Sequence, residues 1–173
     1  PKWNNLANMY GVFLQEHHEA KRLSTNAIKS DPAYLDGWLD LSKICITLRD
    51  YDKAVEASRE VIRLDDESIE GWGNLSIALG HRNKHSAAAD AAKKSTDLAP
   101  DEAHCWHQLG WALLNWGRPK ESEAALEKSN QLDPTNLAVW HSLTVARGRQ
   151  NKLQLAESTA FEATKLFPDD PLN

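Results

Sequence analysis

Apolar residues recur along the chain at spacings of three and four, as in Trp38, Leu41, Cys45 and Leu48. No useful stretch alternates with a period of two. The first spacing lines one face of an α-helix, and without the second it predicts an all-α chain with no strands. The helical stretches fall in pairs. First helices are predicted near 3–14, 35–48, 69–82, 103–116 and 137–150. Second helices are predicted near 18–31, 52–65, 86–99, 120–133 and 154–167. Between the members of a pair stand Asn83, Gly117 and Asn151, residues that tolerate a left-handed helix end. Pro119 then suits the first turn of the helix that follows. His17-His18 falls at the turn expected inside the first pair. Asp31-Pro32 and Asp133-Pro134 read as helix N-termini, since a carboxylate accepts orphan N–H groups and Pro tolerates the first turn.

The pattern also repeats at long range. Trp stands at 38, 72, 106 and 140, a constant difference of 34. Leu41, Leu75, Leu109 and Leu143 follow three residues after each Trp. Pro falls at 32, 100, 134 and 168 on the same period, with Asp66 in the missing place. Five units result, covering 1–34, 35–68, 69–102, 103–136 and 137–170. Position 20 of the unit carries Ala20, Ala54, Ala88, Ser122 and Ala156, and position 27 carries Ala27, Val61, Ser95, Ser129 and Ala163. Small residues are needed where two helix backbones approach closely. One helix pair cannot bury its apolar side alone, so neighbouring pairs must stack into one continuous core. The four periodic Trp residues are assigned to that core, and truncating one should cost roughly 3–5 kcal/mol.

A Trp-x2-Leu-Gly start, followed by Ala or Ser, a second small residue and Pro, resembles the tetratricopeptide repeat family. Unit 4 carries the pattern best, with Trp106, Leu109, Gly110, Ser122, Leu126, Ser129 and Pro134. The resemblance spans essentially the whole chain and implies an all-α, right-handed superhelical solenoid of five helix-turn-helix repeats in one array. Two features depart from the family. Position 11, usually Tyr, is Cys45, Leu79, Leu113 and Arg147. The first half of unit 1, with Trp3, Leu6 and Tyr10, sits one residue early, which reads as a longer turn between its two helices.

The family's first helices line a concave groove through positions 2, 5, 6, 9, 12 and 13. Position 6 is polar throughout, with Asn5, Asp40, Asn74, Gln108 and Ser142. That row is either a solvent face or a weaker form of the asparagine ladder of the O-linked N-acetylglucosamine transferase. Position 9 gives Asn8, Lys43, Ile77, Trp111 and Val145. Trp111 is not required by the repeat core, so it is either an anchor for an apolar ligand side chain or packing for a neighbouring helix. Position 5 gives His107 and His141, and Arg149 stands at position 13 of unit 5. The expected partner-binding set is therefore Asp40, Lys43, Asn74, His107, Gln108, Trp111, His141, Ser142 and Arg149. The carboxylate clamp of the family's chaperone adaptors would need cations here. The best register offers Leu39, Lys43, Asn74, His104 and Gln108, of which only Asn74 fits.

Composition narrows the function classes. The chain has 173 residues with 20 Lys+Arg against 25 Asp+Glu, a formal net charge of −5 that argues against a nucleic-acid face. Unit 2 is the acidic unit, which suits a partner with a basic segment. No apolar run is long enough for a membrane-spanning helix. The hydrophobic share of 41%, with seven Trp, excludes disorder. No P-loop, dinucleotide fingerprint, nucleophile elbow or zincin motif occurs, so neither an enzyme nor a cofactor is expected. His104 and His107 share a helix face with His141 one unit on, but solvated groove histidines explain them and no metal is expected. Cys45 and Cys105 lie two units apart, too far to form a disulfide. Without a leader pattern, the sequence is merely compatible with the cytoplasm.

The expected function is a protein–protein interaction scaffold that takes a peptide or protein segment in its groove. Two alternatives stay open: self-assembly through the array ends, or the regulatory arm of an enzyme whose catalytic domain lies outside this chain. Phe167-Pro168-Asp169-Asp170-Pro171 looks like the beginning of another unit, so the array is read as part of a longer one, or as covered there by a partner or a second copy.

Overall fold

The protein was analysed as a computed structural model, which describes residues 2–168, with side chains from Gln15 onward. Its elements, all helical, are α1 (Lys2–Ser30), α2 (Leu35–Thr47), α3 (Tyr51–Leu64), α4 (Ile69–His81), α5 (His85–Leu98), α6 (Ala103–Asn115), α7 (Pro119–Leu132), α8 (Leu137–Arg149) and α9 (Leu153–Leu166). From α2 onward each helix starts and stops within one residue of its expected place.

The helix ends inside each pair have one cause. Arg49, Asn83, Gly117 and Asn151 all adopt positive φ, at 59°, 57°, 79° and 63°. After each, the next N–H reaches back to close the helix: Asp50 to Cys45, Lys84 to Leu79, Arg118 to Leu113 and Lys152 to Arg147. Two backbone N–H groups thereby satisfy carbonyls that the helix end would leave orphaned.

Unit 1 lacks this stop. The expected turn at His17-His18, and the longer loop inferred from the frame shift, do not exist: α1 runs unbroken through both halves of the unit. Gln15 occupies the stop position, and Gln15 through Ala20 contains neither Gly nor Asn nor Pro to divert the helix. Among the described residues one long helix is therefore followed by four pairs, where five pairs were expected. Trp3, Asn5, Leu6, Asn8 and Tyr10 lie outside the described side chains.

The Asp-Pro signals also need correction. Asp31 Oδ1 accepts from Ala33 N at 3.0 Å and Asp133 Oδ1 from Thr135 N at 2.9 Å, while the N-caps are Tyr34 and Asn136. These carboxylates close Asx turns between units and do not cap the helices, because the turn places them three residues too early. Asp65, in the same unit position, does likewise with Glu67 N at 3.1 Å.

The co-periodicity of Trp and Pro has a direct explanation. Each indole Nε1 donates to the carbonyl six residues upstream: Trp38 to Pro32 (3.0 Å), Trp72 to Asp66 (2.8 Å), Trp106 to Pro100 (2.8 Å) and Trp140 to Pro134 (2.9 Å). Asp66 thus serves in the Pro place, since only its carbonyl is used. The rings of Trp38, Trp72 and Trp106 pack against the core while their edges fasten the turn between units. Small residues do what their period implied. Ala54, Ala88 and Ser122 are fully buried, and Ser122 and Ser129 return their hydroxyls to the Gly110 and Ala103 carbonyls at 2.7 and 2.8 Å.

Successive helices pack on one another along the chain. In addition α2, α4, α6 and α8 contact each other in order, whereas α3, α5, α7 and α9 do not among the described residues. Close spacing of one row and splaying of the other curves the stack, which puts α2, α4, α6 and α8 on the concave side. Cys45 and Cys105 are both buried and both free thiols, and burial pushes each thiol's pKa up.

Candidate functional site in the concave face

The residues expected in the groove lie on its inner row, and several of them tie adjacent helices together. Lys43 pairs with Glu70 at 2.7 Å across α2 and α4. Asn74 Nδ2 donates to Ser42 Oγ at 2.8 Å between the same helices. His107 Nε2 lies 3.4 Å from Ser142 Oγ, between α6 and α8. Arg149 Nη1 donates to the Leu114 carbonyl at the end of α6, at 2.6 Å. Asp40 is exposed on α2, and His141 is half-buried on α8.

Two members of the set, Gln108 and Trp111, meet in one depression. It has a volume of about 380 Å3 and is lined by Ile77 and His81 of α4 with His107, Gln108 and Trp111 of α6. Its shape follows from α4. A Cβ on Gly80 would stand 2.4 Å from Trp111 Cζ3, and one on Gly73 would stand 2.8 Å from Gln108 Oε1. The two glycines lie seven residues apart on one helix face, so both α6 side chains can lie against bare backbone. Trp111 therefore packs on a neighbouring helix, the second of the two readings the sequence allowed, and it also lines the depression. Its ring is 5.5 Å from that of His81, which stacks at 4.5 Å and 9° on Tyr51. An aromatic row thus runs across units 2, 3 and 4.

The floor of this depression is polar but uncharged. Gln108 Oε1 is buried without a hydrogen-bond partner. Burial holds the His107 pKa below the ordinary value, against a smaller opposite effect of its bond to the Ala138 backbone. His107 is therefore neutral at pH 7. An apolar wall, an amide and a neutral imidazole suit a peptide side chain with its backbone, and do not suit a carboxylate. His81 was not singled out from the sequence, although it occupies position 13 of unit 3, which is among the family's groove positions.

His104 and His107 do not converge. His104 Nδ1 turns to Glu102 at 3.6 Å, while His107 turns to Ser142. Among the described residues no group of three His, Cys, Asp or Glu side chains is placed to hold a metal ion. Nor is any described helix long and apolar enough to cross a membrane.

A buried ionic network that the sequence reading did not identify joins units 4 and 5. Glu123 of α7, 6% exposed, accepts from Arg147 Nε at 3.0 Å, Gln150 Nε2 at 2.7 Å and Lys152 Nζ at 2.5 Å. Arg147 also meets Glu127 at 2.8 Å and donates to Thr159 Oγ1. Burial alone would raise the Glu123 pKa, but these donors outweigh it and hold the group at about 2. A signal was available. Arg147 stands in the inward position 11, and Glu123 shares position 21 with the buried Val55 and Ala89. Charge at two core positions on facing helices implies that they pair.

Comparison with known proteins agrees with this architecture. Residues 35–68 and 103–136, units 2 and 4 of the sequence frame, match the model of the tetratricopeptide repeat. No curated protein matches the sequence. Among solved structures, MamA superposes with a TM-score of 0.80 at 22% identity over 88% of this chain and 89% of that one. MamA from Desulfovibrio magneticus RS-1 gives 0.82 at 18%, over 95% and 97%. YrrB, described as a TPR protein with an unusual peptide-binding site, gives 0.75 at 17%, over 95% and 84%. Residues 35–68 and 103–136 are thus tetratricopeptide repeats, and the stack as a whole shares the fold of these solved structures.

Proposed function

We propose that the protein is an interaction scaffold that holds a segment of another protein along its concave face, with the depression between α4 and α6 as the anchor. The observation that carries this reading is the depression itself: a half-buried Trp111 against Ile77, with the Gln108 amide at its base and two imidazoles at its rim. Such a site takes one apolar or aromatic side chain and offers hydrogen bonds to the backbone beside it. The inter-helix ties of Lys43, Asn74 and His107 hold the groove in shape before a ligand arrives, which reduces the cost of binding. YrrB, a structural neighbour described by its peptide-binding site, adds support at the level of the fold.

The test is selection of random peptides displayed on phage against the immobilised chain. Recovered peptides are then titrated into the native chain and into Trp111→Ala, after both show equal helicity. Loss of affinity by tenfold or more in the variant is expected. Equal binding to both would remove the site from the groove.

A further inference from the structure

A second depression lies away from that anchor, on the edge where the turns of units 4 and 5 meet. It has a volume of about 450 Å3, and its lining includes Arg118, Lys120, Arg149 and Lys152 against the one carboxylate of Glu121. This concentration of cations occurs in a chain whose net charge is −5.

The cations differ in how far they are already neutralised. Arg118 meets Glu121 at 3.2 Å and lies over the Trp116 ring at 4.2 Å. Lys152 shares Glu123 with Arg147. Arg149 is bonded to a neutral carbonyl, that of Leu114, and meets no carboxylate among the described residues. Lys120 is exposed and meets no carboxylate among the described residues. The edge is also held in place. Gln150 Nε2 reaches the Pro119 carbonyl at 3.1 Å, which fastens the turn after α8 to the start of α7.

The repeat supplies its own control. Positions 16 and 18 of unit 4, with positions 13 and 16 of unit 5, are Arg118, Lys120, Arg149 and Lys152. The same four positions at the edge between units 2 and 3 are Asp50, Asp52, His81 and Lys84. Nothing in the fold therefore demands four cations at this edge, since the edge between units 2 and 3 carries two acids and one lysine and the edge between units 3 and 4 carries Lys84, Ser86, Asn115 and Arg118.

We propose that this edge is a docking site for a short acidic stretch of a partner polypeptide, whose carboxylates lie between Lys120 and Arg149. The small footprint and the flanking Glu121 favour two or three carboxylates over a long polyanion. The site is independent of the anchor at Trp111.

The test is fluorescence anisotropy with a labelled eight-residue peptide rich in Glu, its Gln counterpart, and a phosphoserine peptide without carboxylate side chains. Each is titrated into the full chain, into Lys120→Glu, and into Lys94→Glu, an exposed lysine of α5 that changes net charge equally. The Glu peptide should bind and the Gln peptide should not. Lys120→Glu should weaken binding about fivefold, Lys94→Glu should leave it unchanged, and added salt should weaken it. Equal losses in both variants, or equal binding of Glu and Gln peptides, would overturn the proposal. A phosphoserine peptide that binds more tightly than the Glu peptide would overturn it in favour of a phosphate ligand.

Discussion

Protonation of Glu123 should loosen the join between units 4 and 5, and its size can be worked out. The carboxyl has a pKa of about 2 in the fold, against an ordinary value of 4.5. A lowered folded-state pKa stabilises the protein above the unfolded value, and the gain is lost as pH falls through the folded one. For these two values the linked contribution is about 3.4 kcal/mol at pH 7 and about 1.4 kcal/mol at pH 3. The perturbation is Glu123→Gln, which keeps the shape but leaves Arg147 and Lys152 without their shared anion, at a cost of about 3–5 kcal/mol at pH 7. Gln does not titrate, and the other groups contribute alike to both proteins. The stability gap between wild type and variant should therefore narrow by about 2 kcal/mol between pH 7 and pH 3. Urea melts at several pH values read this directly. In thermal melts the narrowing is about 4–8 °C for a chain of this size. A gap of constant width from pH 7 to pH 3 would refute the network as the source of the lowered pKa.

Three further outcomes are expected. Trp106→Phe loses the bond to the exposed Pro100 carbonyl and part of the ring and should cost about 1–2 kcal/mol in urea melts, whereas Trp106→Ala should cost roughly 3–5 kcal/mol; no loss in Trp106→Phe would mean that the bond does not fasten the turn. Gly80→Ala places a methyl 2.4 Å from Trp111 Cζ3, so it should cost about 1–3 kcal/mol and change the near-ultraviolet dichroism of the indole; an unchanged spectrum would contradict the close approach. Cys45 and Cys105, buried and with raised pKa, should react with a thiol reagent far more slowly in the native protein than in urea, and equal rates would mean that the core opens readily.

The sequence carried the fold because the units share one physical task. Each Trp closes a turn and each small residue admits a neighbouring helix, so the period of 34 is visible without any alignment. Helix α1 escaped that logic, because the end of a helix depends on one residue adopting positive φ. Asn83, Gly117 and Asn151 advertise that conformation, but Arg49 adopts it with no such preference, held by its unit, while Gln15 does not. Residue type alone therefore could not separate a turn from a continuous helix in unit 1. The Asp-Pro pairs misled for a related reason, since an Asx turn and an N-cap both use a carboxylate that accepts a nearby backbone N–H, and here the N-cap lies three residues further on. In the site, Gln108 and Trp111 were legible as groove residues. The depression they form was not, because it depends on what Gly73 and Gly80 of another helix leave empty. The cationic edge was equally hidden, since Arg118 and Arg149 meet only after two turns have been packed together.

The central claim is that a partner segment seats against Trp111. The most direct measurement is the indole region of a proton–nitrogen correlation spectrum of the labelled protein, recorded while a peptide selected on the chain is titrated in. Seven Trp residues give seven indole signals, and Trp111→Phe assigns the one that matters. The Trp111 signal should shift and saturate with the peptide, while those of Trp38, Trp72, Trp106 and Trp140, bonded to their turns, stay in place. A spectrum in which Trp111 is unmoved while another indole follows the titration would contradict the account.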